Sequence, residues 1–361
     1  MSVHLVTGAT GLVGAALVLE LLQRTDDEVI CVTRPGRSDP GERLIARLNE
    51  AAEAYDLPLE RDIEKRCRVL AGDVIEPLCG IDPAVAGRVH EVWHSAADLR
   101  YEDKHWEALQ RTNIIGTRNV LDLAEAVGAE VVNQVSTAYV AGRRTGLVLE
   151  EAASAEVPTN NRYEDSKIAA ELVAAEAGIP VRVMRPSIVI GHSVTKAVVG
   201  GISGLYGIQK RIHQLRRVQR ILGEPLKVRL RADEETLLNF VPVDLVARDA
   251  VSISLAGGGV GVFHLTHPNP LTLHPALDRV FELSGLPAPS YVSDTEGFTR
   301  VDHEFDRKIT FYRSYLTGTK VFDQSVLSAV VPDSALRSWQ FDLAELHAFA
   351  AWHCERLGTF S

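Results

Sequence analysis

The stretch "VTGATGLVG" at residues 6–14 sets Gly8, Gly11 and Gly14 three apart, between an apolar β-branched run and the start of a helical pattern. Glycines have distinct work at such a strand-to-helix turn. One makes the tight bend, one lets the backbone approach a pyrophosphate, and one lets helix and sheet pack closely. The helix N-terminus that follows presents free N–H groups and the positive end of a dipole, with Leu12 and Val13 as donors and Thr10 beside them. A chain that begins this way is constrained to a strand–turn–helix unit, and one such unit needs parallel neighbours to bury its strand.

The neighbours are legible. "VHLVTG", "EVICVTR", "CRVLAGD", "VHEVWHSAA", "EVVNQVSTAYV" and "VRVMRPSIVIG" are short, mostly continuous apolar runs, separated by helical stretches long enough for crossovers. The predicted architecture is α/β, a doubly wound parallel sheet of Rossmann type. After Gly191 the chain leaves the sheet through a basic helix, "IQKRIHQLRRVQRILG", returns at "NFVPVDLVARDAV" and "GVFHLTH", and leaves again at "HPNPLTLHP". This gives a nucleotide-binding domain over 1–190 plus 237–267 and a smaller substrate lobe over 191–236 plus 268–361. Asp342, three residues ahead of Glu345, marks the start of a closing helix.

Composition narrows the partners. Lys plus Arg number 38 against 48 Asp plus Glu, a net charge of -10 that repels a phosphate backbone, so nucleic acid is not expected. The four cysteines, Cys31, Cys67, Cys79 and Cys354, form no C-x-x-C pair, which fits a reducing cytoplasm and predicts no metal site. The chain enters its first strand without a basic or apolar leader, and its longest weakly polar run, residues 197–208, is too short and Gly-rich to span a bilayer. A cytoplasmic protein is expected.

The end of the second strand discriminates between dinucleotides, because a carboxylate there holds the ribose 2'-hydroxyl of NAD while an arginine accommodates the 2'-phosphate of NADP. Arg34 stands there, 20 residues after Gly14, with Arg37 close behind, so NADPH is the expected cofactor. In "AGDV", Asp73 at the end of the third strand can accept from the adenine amine, with Val74 next to it.

"YEDSK" places Tyr163 four residues before Lys167, on one helical face. A tyrosine becomes a useful proton donor to a developing oxyanion when a nearby cation lowers its pKa of ~10. "VSTAYVAG" offers Ser136 and Thr137 at a strand end about 25 residues earlier, either one a candidate second donor. A second pair, Tyr206 and Lys210, has the same spacing but no strand-end hydroxyl ahead of it. His94 is expected to pack rather than to catalyse.

The glycine triplet, "HSAA" at 94–97, Asn113 in "TNIIGTRNVL", the hydroxyl pair, Tyr163 with Lys167, and "RPSIVIG" follow in the order and spacing of the extended short-chain dehydrogenase/reductase superfamily, which this chain resembles over residues 1–270. Within it the chain is most similar to the thioester reductase and fatty acyl-CoA reductase (male-sterility-like) group, through the arginine after the second strand, "ERLIARL", the long approach to "LAGDV", and "LNFVPVDLVARDAV". The resemblance implies Tyr163 as proton donor, Lys167 on the ribose and as modulator of Tyr163, and Thr137, five residues before Gly142, as second donor. It also implies cofactor contacts from Ser95, Ala96, Ala97, Asn113, Pro186, Ser187 and Ile188. The implied activity is NADPH-dependent reduction of an acyl thioester, carried by coenzyme A or an acyl carrier protein, to an aldehyde or onward to an alcohol. A ketone or aldehyde reductase and a sugar-nucleotide epimerase or dehydratase are the alternatives. The cations of residues 209–222 offer a docking face for an acidic carrier.

Overall fold

The computed structural model describes residues 1–201, 204–233 and 235–357; positions 202, 203, 234 and 358–361 of the expected smaller lobe lie outside them. Seven parallel strands form the central sheet: β1 (Val3–Thr7), β2 (Glu28–Thr33), β3 (Cys67–Ala71), β4 (Glu91–His94), β5 (Val131–Val135), β6 (Val181–Pro186) and β7 (Gly261–Leu265). Their order is β7-β6-β5-β4-β1-β2-β3. The order reverses at β1 and β4, which pair through His4 with Glu91 and Thr7 with His94, so the carboxyl ends of those strands open a crevice.

Eight longer helices follow the chain: α1 (Leu12–Arg24), α2 (Pro40–Ala54), α3 (Gly116–Ala126), α4 (Arg162–Ala175), α5 (Leu205–Leu222), α6 (Val243–Leu255), α7 (Leu273–Leu283) and α8 (Leu343–Leu357). Leu17 and Leu21 of α1, Leu44 and Leu48 of α2, and Val246 and Val251 of α6 cover one face of the sheet. Val120 and Leu123 of α3, with Ala174 of α4, cover the other. Burial on both faces explains why the strands read as continuous apolar runs rather than alternating ones.

"VRVMRPSIVIG", expected as one strand, divides at Ser187. Residues 181–186 stay in the sheet, and Ile188–Ile190 swings out to pair in parallel with Phe240–Pro242. A second apolar core gathers there from Ile190, Tyr206, Ile212, Val280, Phe305 and Phe349. The chain beyond 268 is shared between the cores, since Leu327, Val331 and Leu336 pack with the sheet-side cluster. Asp342 opens α8 as its sequence suggests, accepting from the amides of Ala344 (2.8 Å) and Glu345 (2.9 Å). The Glu345 carboxylate pairs instead with Lys196 at 2.5 Å. Among the described residues no helix is long and apolar enough to cross a membrane.

Candidate active site

The turn between β1 and α1 has the geometry its glycines permit. Gly8 sits at φ +74°, and a Cβ there would lie 2.6 Å from the amide nitrogen of Ala96. Gly11 donates its N–H to the Gly8 carbonyl at 2.8 Å and caps α1 without a side chain, which leaves the first-turn amides of Leu12 and Val13 open. A cavity of about 510 Å3 crosses the strand ends here, lined by Gly8, Thr10, Gly11, Arg34, Asp73, Val74, Ser95, Ala96 and Ala97. A backbone cradle that a Cβ would fill, facing unpaired helix amides, fits a dinucleotide pyrophosphate.

Around the rim, Asp73 is held by its backbone N–H on the Cys79 carbonyl (2.9 Å), and its Oδ1 accepts from Ile75 (3.2 Å). Arg34 lines the cavity, whereas Arg37 is exposed beside it and is not part of the wall. One cation was missed. Arg43, inside "ERLIARL", turns its guanidinium back to the carbonyls of Arg34 and, at 2.8 Å, of Ser38, so it braces the loop that carries Arg34 and Arg37.

A second cavity of about 250 Å3 adjoins the first and shares Gly11, Ser95 and Ala97 with it. Leu12, Val13, Gly14, Thr137, Tyr163, Lys167, Pro186, Ser187 and Ile188 all line it. Asn161 caps α4 by accepting from the Glu164 amide at 3.0 Å, and this start fixes Tyr163 and Lys167 on the face that looks into the cavity. The Lys167 ammonium, almost fully buried, donates to the Val135 carbonyl at the end of β5 (2.8 Å). Burial pushes its pKa down to about 8, with the Glu171 carboxylate acting in the opposite sense. Desolvation, and then the neighbouring Glu164 carboxyl, raise Tyr163 above the ordinary tyrosine value.

The two strand-end hydroxyls separate by their partners. Ser136 donates to the buried Glu171 carboxylate, while Thr137 Oγ1 accepts from the Tyr139 amide (3.2 Å) and keeps its own proton available to the cavity. Asn113, expected on the cofactor, lines neither cavity. Its side chain accepts from the Asp98 amide (2.8 Å) and donates to the Asp98 carbonyl and to Ser166 Oγ (both 2.9 Å), tying the 95–98 loop to α4. His94 is buried between Thr7 Oγ1 (2.9 Å) and Thr117 Oγ1 (3.2 Å), and desolvation pushes its pKa down to about 3. In the second Tyr–Lys pair, the Tyr206 hydroxyl accepts from the Gly191 amide at 2.9 Å deep in the smaller core, and Lys210 is exposed.

The cavity also has a wall that pattern reading did not find. Tyr139, Phe311 and Tyr315 line it, with the Tyr139 and Tyr315 rings edge-to-face at 4.4 Å and Phe311 edge-on to Tyr315 at 5.9 Å. The one signal was the aromatic density of "FYRSYL", which carries no motif spacing.

Comparison with known proteins places these features in a lineage. The model of the male sterility protein family matches residues 6–250. The linear gramicidin synthase of Brevibacillus parabrevis is 29% identical over 278 residues, covering 73% of this chain but 5% of that protein. The chain thus spans a small part of that relative. The terminal R domain of the myxalamid PKS-NRPS biosynthetic pathway superposes with a TM-score of 0.77 at 22% identity, over 99% of this chain and 91% of that one. A thiolation-reductase di-domain from an archaeal non-ribosomal peptide synthetase gives 0.76 at 18% identity, over 100% and 76%.

Proposed function

Because the chain belongs to the male sterility protein family, we propose that it is an NADPH-dependent reductase of an acyl thioester. The observation that carries this reading is the meeting of Thr137, Tyr163 and Lys167 in one cavity that opens onto the glycine-turn crevice. The bound dihydronicotinamide supplies the hydride. Thr137 and Tyr163 orient the thioester carbonyl by donating to its oxygen, and Tyr163 transfers its proton as that oxygen gains charge. Lys167 holds the cofactor ribose and stabilises the tyrosinate that remains, which offsets the effect of burial on Tyr163. The resulting hemithioacetal loses its C–S bond, the thiol leaves with a proton, and an aldehyde results. Val135, whose carbonyl accepts from Lys167, keeps the ammonium aimed along the cavity floor.

Arg34 in the crevice wall supports NADPH over NADH, since a guanidinium pairs with a phosphate where a carboxylate would repel it. A substrate carried by a separate acidic protein is supported by the outer surface of α5, where Lys210, Arg217 and Arg220 are exposed beside Ile221 (84% exposed). The test is to follow NADPH oxidation with acyl-CoA, acyl-carrier, aldehyde and ketone substrates and identify the products. Thioester turnover with aldehyde or alcohol release is expected. Ketone turnover without thioester turnover would reverse the reading.

A further inference from the structure

Tyr163, Lys167 and Glu171 lie four residues apart on α4 and form one stripe facing the ends of β5 and β6. Glu171 is 4% exposed, and its hydrogen bonds run to those strand ends. It accepts from the Ser136 hydroxyl, from Arg185 Nε at 3.0 Å, and from Arg185 Nη2 at 2.6 Å. Arg185 itself is 1% exposed. The next residue after Ser136 is Thr137, and the next after Arg185 is Pro186; both line the cavity. The residue before Ser136 is Val135, which receives Lys167.

We infer that Glu171 is a positioning residue for the reductase site: its buried carboxylate fastens the two strand ends to the helix that carries Tyr163 and Lys167, and keeps Lys167 charged. The inference rests on the proposed roles of Thr137, Tyr163 and Lys167. A carboxylate buried with one guanidinium is otherwise a weak contributor to stability, because desolvating both charges offsets most of their attraction, so a purely structural role would be served as well by an apolar pair. Its place beside a second cation gives the charge a use.

The groups that face Lys167 are few. On its own helix these are Tyr163 and Glu171. From β4 comes His94, held neutral by burial, and from β5 the Val135 carbonyl. Arg185 of β6 reaches the lysine only through Glu171. Glu171 is therefore the acidic group that offsets the desolvation of Lys167. Removing its charge lowers the pKa of Lys167, so the alkaline fall in kcat/KM begins at lower pH.

The test compares Glu171→Gln and Glu171→Asp with the parent enzyme, reading kcat, KM and the pH profile of kcat/KM beside thermal melting. For Glu171→Gln the alkaline limb is expected to move down by about one pH unit, with kcat reduced about tenfold and the thioester KM little changed. Glu171→Asp keeps the charge and should hold the limb near its original pH while kcat falls. A folded Glu171→Gln with an unmoved limb overturns the inference. Should Glu171→Gln not fold, parental kcat in Glu171→Asp overturns it instead. Lys167→Met separates this failure from failure of the proposed function: if Lys167→Met still turns over, the site reading falls, whereas if it is inactive and the Glu171 profiles are unchanged, only the positioning role falls.

Discussion

Gly14 on the first turn of α1 meets Gly8 at the end of β1 so closely that a Cβ on Gly14 would stand 2.1 Å from the Gly8 carbonyl oxygen. Gly14→Ala must therefore push helix and strand apart, a strain of roughly 1–3 kcal/mol. The expected outcome is a lower melting temperature together with at least a tenfold loss of cofactor affinity, read by fluorescence titration. Unchanged binding in a folded variant would mean that the turn is not where the dinucleotide sits.

Arg34 should set the choice of cofactor. Losing one charge-assisted contact of about 1.5–3 kcal/mol predicts that Arg34→Ala weakens NADPH by roughly 10- to 100-fold and leaves NADH nearly as it was. Competition titrations with both dinucleotides check this, and an equal loss for the two would remove the argument for the 2'-phosphate.

Two tyrosines with the same spacing to a lysine should respond in opposite ways. Tyr163→Phe should cut turnover at least ~100-fold with the cofactor still bound, the usual scale of a lost acid-base catalyst. Tyr206→Phe removes a hydroxyl that serves the Gly191 amide, so it should cost about 1 kcal/mol of stability and leave the rate near that of the parent. Parallel kinetics and melting curves decide it, and similar rate losses in both would sink the assignment.

His94 makes a statement about acid. It stays neutral in the folded chain down to about 3, while its ordinary value is 6.5, so protonation favours the unfolded chain across that interval. The stability His94 confers as a neutral group is fully present above pH 6.5 and is lost as pH falls toward 3, ~3 kcal/mol by pH 4. His94→Asn should flatten the fall in melting temperature between pH 6.5 and 4. An identical slope in variant and parent would show that other groups govern it.

The aromatic wall should govern which acyl groups fit. Tyr315→Ala removes the ring that stands edge-on to Tyr139 and widens the cavity of about 250 Å3 on that side. Bulkier acyl thioesters should gain in kcat/KM relative to small ones by roughly tenfold, the scale of a few added methylenes in a pocket. A preference that does not move with acyl size would place substrate selection elsewhere.

How far these features could be read in advance depended on whether they follow from local spacing. The glycine turn, the strands of the sheet and the Tyr163–Lys167 stripe are set by neighbours within a few residues, and each left a periodic or positional mark. The bend at Ser187 left none, because Ile188–Ile190 is as β-branched as the strand before it and departs only to meet Phe240–Pro242 some fifty residues later. Asn113 failed for a related reason: an amide can serve a ligand or a loop, and its partners Asp98 and Ser166 are distant in sequence. Tyr315 was invisible because one aromatic residue among several in "FYRSYL" carries no sign of which ring turns inward.

The wall that Tyr315 builds has a consequence for how such a chain can change over time. The hydroxyl and ammonium groups of the cavity come from residues 137–167, and the rings of Phe311 and Tyr315 from a segment nearly 150 positions further on. Inheritance can therefore revise the two parts separately. A lineage can trade one cargo for another by drift or recombination in its later third while the proton-handling machinery passes on untouched, so descendants that look alike at their beginnings need not share a substrate.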